Sequence, residues 1–201
     1  MSQMFAVKAA YPARMAPIDL GVALVALVAL ALGGVLRCQV DGATRVYQEP
    51  NAPFRIAYPR SWLSAASSPD TLLTVEDPRT RSTFKTTLTV ERRDLDPAAP
   101  PSLQDLVDRR IVQRGALTAY RLLASDAATV GGAPAGRIDY AYVAQPIDLP
   151  GRYALPVVVR VREYLIALPD RAYAVTLAAP EQEYVEALER FEQAIKKVRV
   201  Q

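Results

Sequence analysis

The sequence predicts an α+β domain, an antiparallel β-sheet with helices packed on its faces, preceded by one N-terminal transmembrane helix. Two observations predict this architecture. Segments that alternate apolar and polar residues come in runs joined by turn residues, with one helical pattern among them and another at the end. An uncharged apolar stretch precedes these runs. A chain of 201 residues is long enough for one domain with an appendage.

The apolar stretch is Leu20–Leu36, LGVALVALVALALGGVL. As a helix it would be about 25 Å long, close to the roughly 30 Å of a bilayer's hydrocarbon core, so it predicts an uncleaved signal anchor. Two alternatives stay open. Ala29–Ala31 is an A-x-A triplet that would suit cleavage of a signal peptide. A lipoprotein signal would end at Cys38, but it needs a small residue where Arg37 stands.

Charges that flank the stretch are nearly balanced, with Lys8 and Arg14 before it and Arg37 and Arg45 after it. Because the tail is short and the body is large, we expect the body to lie outside the cytoplasm. The predicted divisions are a tail at 1–19, the membrane helix at 20–36, a connector at 37–44 and a domain at 45–201.

Strands are predicted from alternating patterns that end at turn residues. The clearest runs from Thr83 to Arg92 and places Phe84, Leu88 and Val90 on one face. The predicted strands cover residues 45–48, 54–58, 72–76, 83–92, 120–124, 137–143, 157–167 and 173–178.

Two helices complete the pattern. Ser102 is a candidate N-cap with Asp105 three residues later, followed by apolar residues at helical spacing. Pro180 is expected to open the last helix. The apolar stripe of that helix is formed by Tyr184, Leu188, Phe191 and Ile195.

The order and spacing of these segments resemble the PsbP-like family, including its DcrB-like and bacterial lipoprotein-like relatives, over about residues 45–199. The segment FRIAYPRSW, residues 54–62, matches the family's entry motif. That motif is carried here by Phe54, Ile56, Tyr58, Pro59 and Trp62. Tyr173 and Leu177 match the family's strand before the last helix.

The resemblance implies a PsbP-like α/β/α sandwich on the far side of a membrane, here a bacterial cell membrane crossed once. Plant and algal members are extrinsic subunits of photosystem II, and a nuclear-import factor of the same fold binds the Ran GTPase. Both are binding modules. The metal and partner contacts proposed for photosynthetic members rely partly on histidines, and this chain has none, so we expect no metal or cofactor.

Two readings of the aromatic residues in the entry motif remain open. Pro59 cannot donate a ladder hydrogen bond and should stop its strand. Tyr58 and Trp62 should then pack at the end of the sheet, with a partner for the indole N–H of Trp62. The alternative is an aromatic platform for a ligand.

Catalytic chemistry has few candidates in this chain, which holds no histidine and one cysteine. No nucleophile or phosphate-loop motif occurs. Glu163 continues the apolar face of Val157, Val159 and Val161, and is a candidate site if buried. A bulge that turns it to solvent is the other interpretation.

The basic residues are dispersed, which argues against nucleic acid as a partner. The densest group, Arg109, Arg110 and Arg114, is expected to be a solvated helix face. The sequence thus predicts a non-enzymatic, membrane-tethered module that binds a protein partner in the envelope, with loop Ala144–Tyr153 as a contact surface. The alternatives are a ligand-sensing or carrier domain with an apolar pocket, a photosystem-associated subunit, or an enzyme with carboxylate or serine chemistry.

Overall fold

The computed structural model describes residues 17–41, 43–50, 52–66, 68, 70–144 and 155–200. It divides into two compact units, with the boundary between residues 42 and 43. The helices are α1 (Pro17–Asp41), α2 (Leu103–Arg114) and α3 (Tyr184–Ile195). The strands are β1 (Thr44–Gln48), β2 (Arg55–Pro59), β3 (Leu63–Ser64), β4 (Thr71–Glu76), β5 (Thr87–Asp94), β6 (Arg121–Val130), β7 (Ala133–Ala144), β8 (Val157–Ala167) and β9 (Arg171–Pro180).

The first unit is described as the single helix α1, which contains the apolar stretch Leu20–Leu36 and continues to Asp41. Most of the predicted connector at 37–44 is therefore helical. The side chains described in this helix, at residues 21–33, are exposed. Among the residues that the structure describes, no helix is long and apolar enough to cross a membrane.

The second unit is built on a seven-stranded antiparallel sheet in the order β3-β4-β5-β9-β8-β7-β6. Strands β1 and β2 form a separate antiparallel hairpin. Strand β9, which comes late in the chain, lies in the middle of the large sheet and pairs with both β5 and β8. The architecture is the α+β arrangement that the strand and helix patterns predict.

Two apolar layers lie on opposite faces of the sheet. The face covered by α3 and the β1–β2 hairpin holds the larger cluster, which includes Val90, Val175 and Phe191. The other face is covered by α2, which packs over β7 and β8 and contacts a smaller cluster with Ile138 and Val161. Because α2 is only twelve residues long, it leaves β9, β5 and β4 less covered on this face.

The close approach of α2 to β7 depends on Gly136. A Cβ atom at this position would lie 2.4 Å from Cγ2 of Val107 on the helix. At the start of α2, Ser102 Oγ accepts a hydrogen bond from Asp105 N at 3.1 Å, and Ser102 N donates to the Asp105 carboxylate at 3.2 Å. This reciprocal capping box, as the sequence predicts, fixes where the helix begins.

Several boundaries differ from the sequence-based expectation. Strand β6 continues to Val130, β7 begins at Ala133, β9 extends two residues further at each end, and β3 has no predicted counterpart. Strand β5 begins at Thr87 rather than Thr83, because Thr80 Oγ1 accepts the Thr86 amide at 3.1 Å and closes a loop ahead of the strand. Phe84 consequently contacts Tyr142 on the α2 face, whereas Leu88 packs on the α3 face. Pro180 ends β9 and does not open the last helix, which starts at Tyr184 after a turn.

Candidate functional site

Glu163 lies in the middle of β8 and its side chain is 0% exposed. Its Cα partners are Ile138 on β7 and Thr176 on β9, and the register of both pairings is continuous through this residue. The bulge considered from the sequence is therefore absent, and the carboxylate points into the space between the sheet and α2, on the face of Val159 and Val161.

Two arginines of α2 hold this carboxylate. Arg110 Nε donates to Glu163 Oε1 at 2.5 Å, and Arg114 Nε lies 3.5 Å from Glu163 Oε2. The same two side chains reach Glu91 on β5, with 2.7 Å between Arg110 Nη2 and Glu91 Oε2 and 3.7 Å between Arg114 Nη2 and Glu91 Oε1. Two guanidinium groups one helical turn apart thus join two carboxylates from different strands.

The expectation that Arg109, Arg110 and Arg114 form a solvated face is wrong for two of the three. The side chains of Arg110 and Arg114 are only 12% and 24% exposed, because they extend under the helix toward Glu163. The helical spacing could have indicated this burial. Arg114 follows Val107 by seven residues and Ile111 by three, so it lies on the same, buried side of α2.

Two phenols surround the buried carboxylate. Tyr140 OH lies 3.5 Å from Glu163 Oε2, and the rings of Tyr120 and Tyr140 are 5.4 Å apart. Burial, and then the negative charge of Glu163, raise the pKa of both tyrosines above the ordinary value. Both therefore stay neutral near pH 7, and neither is set up to act as a base.

The carboxylate of Glu163 is enclosed by groups that neutralise or bind it. Its two oxygens face guanidinium and phenol groups, and the side chain has no access to solvent. The convergent cluster of acids that would favour carboxylate chemistry is not formed around it. Among the residues that the structure describes, no group of three or more acidic, cysteine or histidine side chains could hold a metal ion.

An open cleft of about 550 Å³ lies beside this ion-pair network. One wall is α2, and the other is the part of the sheet that the helix leaves uncovered. Seven of its fourteen lining residues are charged. The lining consists of Asp70, Leu72, Glu91, Arg92, Arg93, Asp94, Leu106, Arg109, Arg110, Gln113, Leu165, Ala172, Tyr173 and Ala174.

The charges of the cleft differ in how they are neutralised. Arg110 is paired with Glu91 and Glu163, as described above. Arg92 is paired with Glu49 at 2.5 Å and with Asp94 at 3.2 Å. Arg93 and Arg109, in contrast, form no ion pair with any residue in the described part of the chain. Arg109 does act electrostatically on Asp105, one turn earlier in α2. Both guanidinium groups nevertheless lie beyond ion-pair distance of the described carboxylates and could bind an outside anion.

The entry motif lies on the opposite face of the sheet, in the core. Phe54 and Ile56 are fully buried, Tyr58 and Pro59 are half-buried, and Trp62 is 2% exposed. The indole Nε1 of Trp62 has no hydrogen-bond partner among the described atoms, contrary to the expectation that it would find one. A tryptophan buried in this way is not a platform for a ligand.

A second polar group ties this hairpin to the sheet. Phe54 stacks on Tyr173 with 4.4 Å between ring centroids, and Tyr173 OH donates to Glu49 Oε2 at 2.8 Å. Burial, and then the hydrogen bond to Glu49, raise the pKa of Tyr173 to about 12. Tyr173 and Leu177, matched to the family's strand, thus serve packing. The predicted contact loop Ala144–Tyr153 lies, beyond its first residue, outside the described residues.

Solved structures of known proteins share this fold at low sequence identity. Cyanobacterial PsbP (CyanoP) from Synechocystis sp. PCC 6803 aligns with a TM-score of 0.57 and 12% identity, over 79% of this chain and 93% of its own. LpqN of Mycobacterium tuberculosis, described as involved in cell envelope biogenesis, aligns with a TM-score of 0.54 and 13% identity, over 79% and 92%. The Saccharomyces cerevisiae Ran-binding protein Mog1p aligns with a TM-score of 0.50 and 13% identity, over 79% and 95%.

These similarities show that the fold is PsbP-like, as the order of the sequence motifs indicates. No family model matches the chain. No curated protein matches it either. At sequence identities of 12–13%, these similarities show a shared fold and do not show a shared function.

Proposed function

We propose that this chain is a non-enzymatic binding or assembly module, tethered to a bacterial cell membrane with its PsbP-like domain outside the cytoplasm. The observation that carries the proposal is the fold. One protein that shares it is named for binding Ran, and another for its part in building a cell envelope. A fold of this kind serves many roles, so the side chains must agree with the proposal.

The side chains support binding rather than catalysis. The buried carboxylate of Glu163 is enclosed by its own arginines, and an active site would instead need a reactive group exposed in a cleft. Arg93 and Arg109 are unpaired guanidinium groups beside an open cleft, and arginine is enriched in protein interfaces.

The membrane tether is proposed for Leu20–Leu36 within α1. Its support is the absence of charge over the stretch and its place in a continuous helix of 25 residues. The full chain should stay with membranes through an alkaline carbonate wash, because apolar burial and not charge would hold it. Release of a soluble protein that begins near Leu32 would instead establish the cleaved signal peptide.

The partner is best sought by crosslinking in native membranes followed by purification and mass spectrometry. We expect one or a few envelope proteins to be recovered repeatedly, and to be lost with an unfolded control such as Trp62→Ala/Phe191→Ala, which lacks two core side chains and whose loss of fold is checked by circular dichroism. A wild-type domain that yields the same background as the unfolded variant would contradict the proposal.

The alternative of a carrier for an apolar ligand is less well supported by the cleft described above. Pockets for such ligands are lined mainly by apolar and aromatic side chains, whereas half of the residues around this cleft are charged.

A further inference from the structure

The cleft between α2 and the sheet combines two features that bear on what it binds. Arg93 projects from β5 and Arg109 belongs to α2, so an unpaired guanidinium group stands on each wall. The third acidic residue of the lining, Asp70, forms no ion pair among the described residues and offsets only one of these two charges. The fourteen lining residues together include four arginines and three acidic residues, a formal net charge of +1.

Apolar residues also line the cleft. Leu72 comes from β4, Leu106 from α2 and Leu165 from β8, and the small residues Ala172 and Ala174 leave room above β9. An occupant that fits this surface must present a negative group together with an apolar one. A purely apolar ligand would leave the arginines unpaired, and a bare anion would leave the apolar surface in contact with water.

We propose that this cleft binds a segment of a partner protein in which an aspartate or glutamate stands next to an aliphatic or aromatic side chain. The inference rests on the proposed binding function and names the contact through which it acts. The planar guanidinium groups of Arg93 and Arg109 bind the carboxylate, in the bidentate geometry that arginine favours. The apolar neighbour contacts the leucines of the cleft.

A protein segment fits the cleft better than a small metabolite does. The volume of about 550 Å³ would suit either. However, the cleft is open, and its lining is drawn from α2 and four strands, so it can follow an extended segment. Four of its charged residues are arginines, the charged residue that is enriched in protein interfaces.

The test is selection of peptides from a displayed library of random heptapeptides by the full chain in detergent micelles. We expect the selected peptides to be enriched in an acidic residue adjacent to an apolar one. The strongest peptide is then synthesised with a fluorescent label, and its dissociation constant is measured by anisotropy.

Charge reversal then locates the site. The double variant Arg93→Glu/Arg109→Glu should weaken binding of the peptide by about tenfold or more, because two like charges would face its carboxylate. The matched control is Arg121→Glu, an exposed arginine on the edge strand β6, and it should change the dissociation constant by less than about twofold. Circular dichroism melting curves confirm that each variant is folded.

Three results would overturn the assignment. The selected peptides could lack acidic residues, the double reversal could leave their binding intact, or Arg121→Glu could weaken it equally. Displacement of the peptide by millimolar inorganic phosphate, but not by sodium chloride of equal ionic strength, would make the cleft a small-anion site and also refute a protein partner.

The two proposals can fail separately. If crosslinking in membranes recovers the same partner with the Arg93→Glu/Arg109→Glu variant, the binding function stands and the cleft is not its contact. If the peptide binds at the cleft but no partner is recovered from membranes with the wild-type chain, the cleft assignment stands and the assembly function falls.

Discussion

Replacing Glu163 with glutamine would test whether the buried ion pairs attach α2 to the sheet. The substitution keeps the size and shape of the side chain and removes its charge. Arg110, whose side chain is 12% exposed, then loses the acceptor that lies 2.5 Å from its Nε atom. Arg114 loses the same carboxylate at 3.5 Å.

The expected magnitude follows from what the arginines retain. Removing one partner of a buried ion pair costs about 3–5 kcal/mol, because the remaining charge is left uncompensated. Arg110 still faces Glu91 at 2.7 Å, so we expect the lower end, about 3 kcal/mol of unfolding free energy. For a domain of this size that corresponds to a fall in Tm of about 6–12 °C.

Urea unfolding and thermal melting, both followed by circular dichroism, measure this loss. Glu91→Gln is the control, since Glu91 is 31% exposed and its pairing should contribute about 1 kcal/mol or less. Joint replacement of Arg110 and Glu163 by methionine should recover most of the loss, because neither charge then remains buried. A Glu163→Gln variant that melts within about 2 °C of wild type would refute the reasoning, as would a larger loss from Glu91→Gln.

Three further outcomes are expected. Gly136→Ala should lower the urea-unfolding free energy by about 1–3 kcal/mol through its clash with Val107, and Val107→Ala should relieve part of that loss in the double variant; additive losses would contradict the contact. Trp62→Ala should cost about 3–5 kcal/mol by the same measurement, whereas a stable variant would show that the indole is not core. The folded pKa of Tyr173, about 12, exceeds its ordinary value of 10.0. The contribution of Tyr173 to stability should therefore be fully present below pH 10 and be lost as the pH rises toward 12. Urea unfolding at pH 9 and 11 should show a smaller fall in Tyr173→Phe, and an equal fall would remove this tyrosine as a cause.

Local patterns predicted most of the fold. Strand β8 has the predicted bounds, and the Ser102 capping box is formed, because alternation and N-cap chemistry depend on residues near in sequence. Strand β5 was placed four residues early, because its start is set by a hydrogen bond between Thr80 and Thr86 rather than by alternation. A side-chain hydrogen bond that closes a loop leaves no periodic trace in the sequence, even where its partners are only six residues apart.

The site was only partly predictable for the same reason. Glu163 is visible in the sequence as an acid on an apolar strand face. Its partners are 53 and 49 residues away on α2, so their approach depends on which face of the sheet the helix covers. Arg93 and Arg109 differ from the other arginines of the cleft in forming no ion pair among the described residues. Ion pairs can be identified only once the side chains have been placed.

The position of β9 in the sheet has a consequence for how the protein is made. Residues 171–180 are the only link between the β3–β5 and β6–β8 parts of the described sheet. A ribosome must therefore synthesise residues 171–180 before the two halves can join. The other pairings of the described sheet join strands that are consecutive in sequence, so the pairing of β9 with β5 is the distant one and is expected to form late. The edges of β5 and β8 that face β9 stay unpaired until this strand emerges.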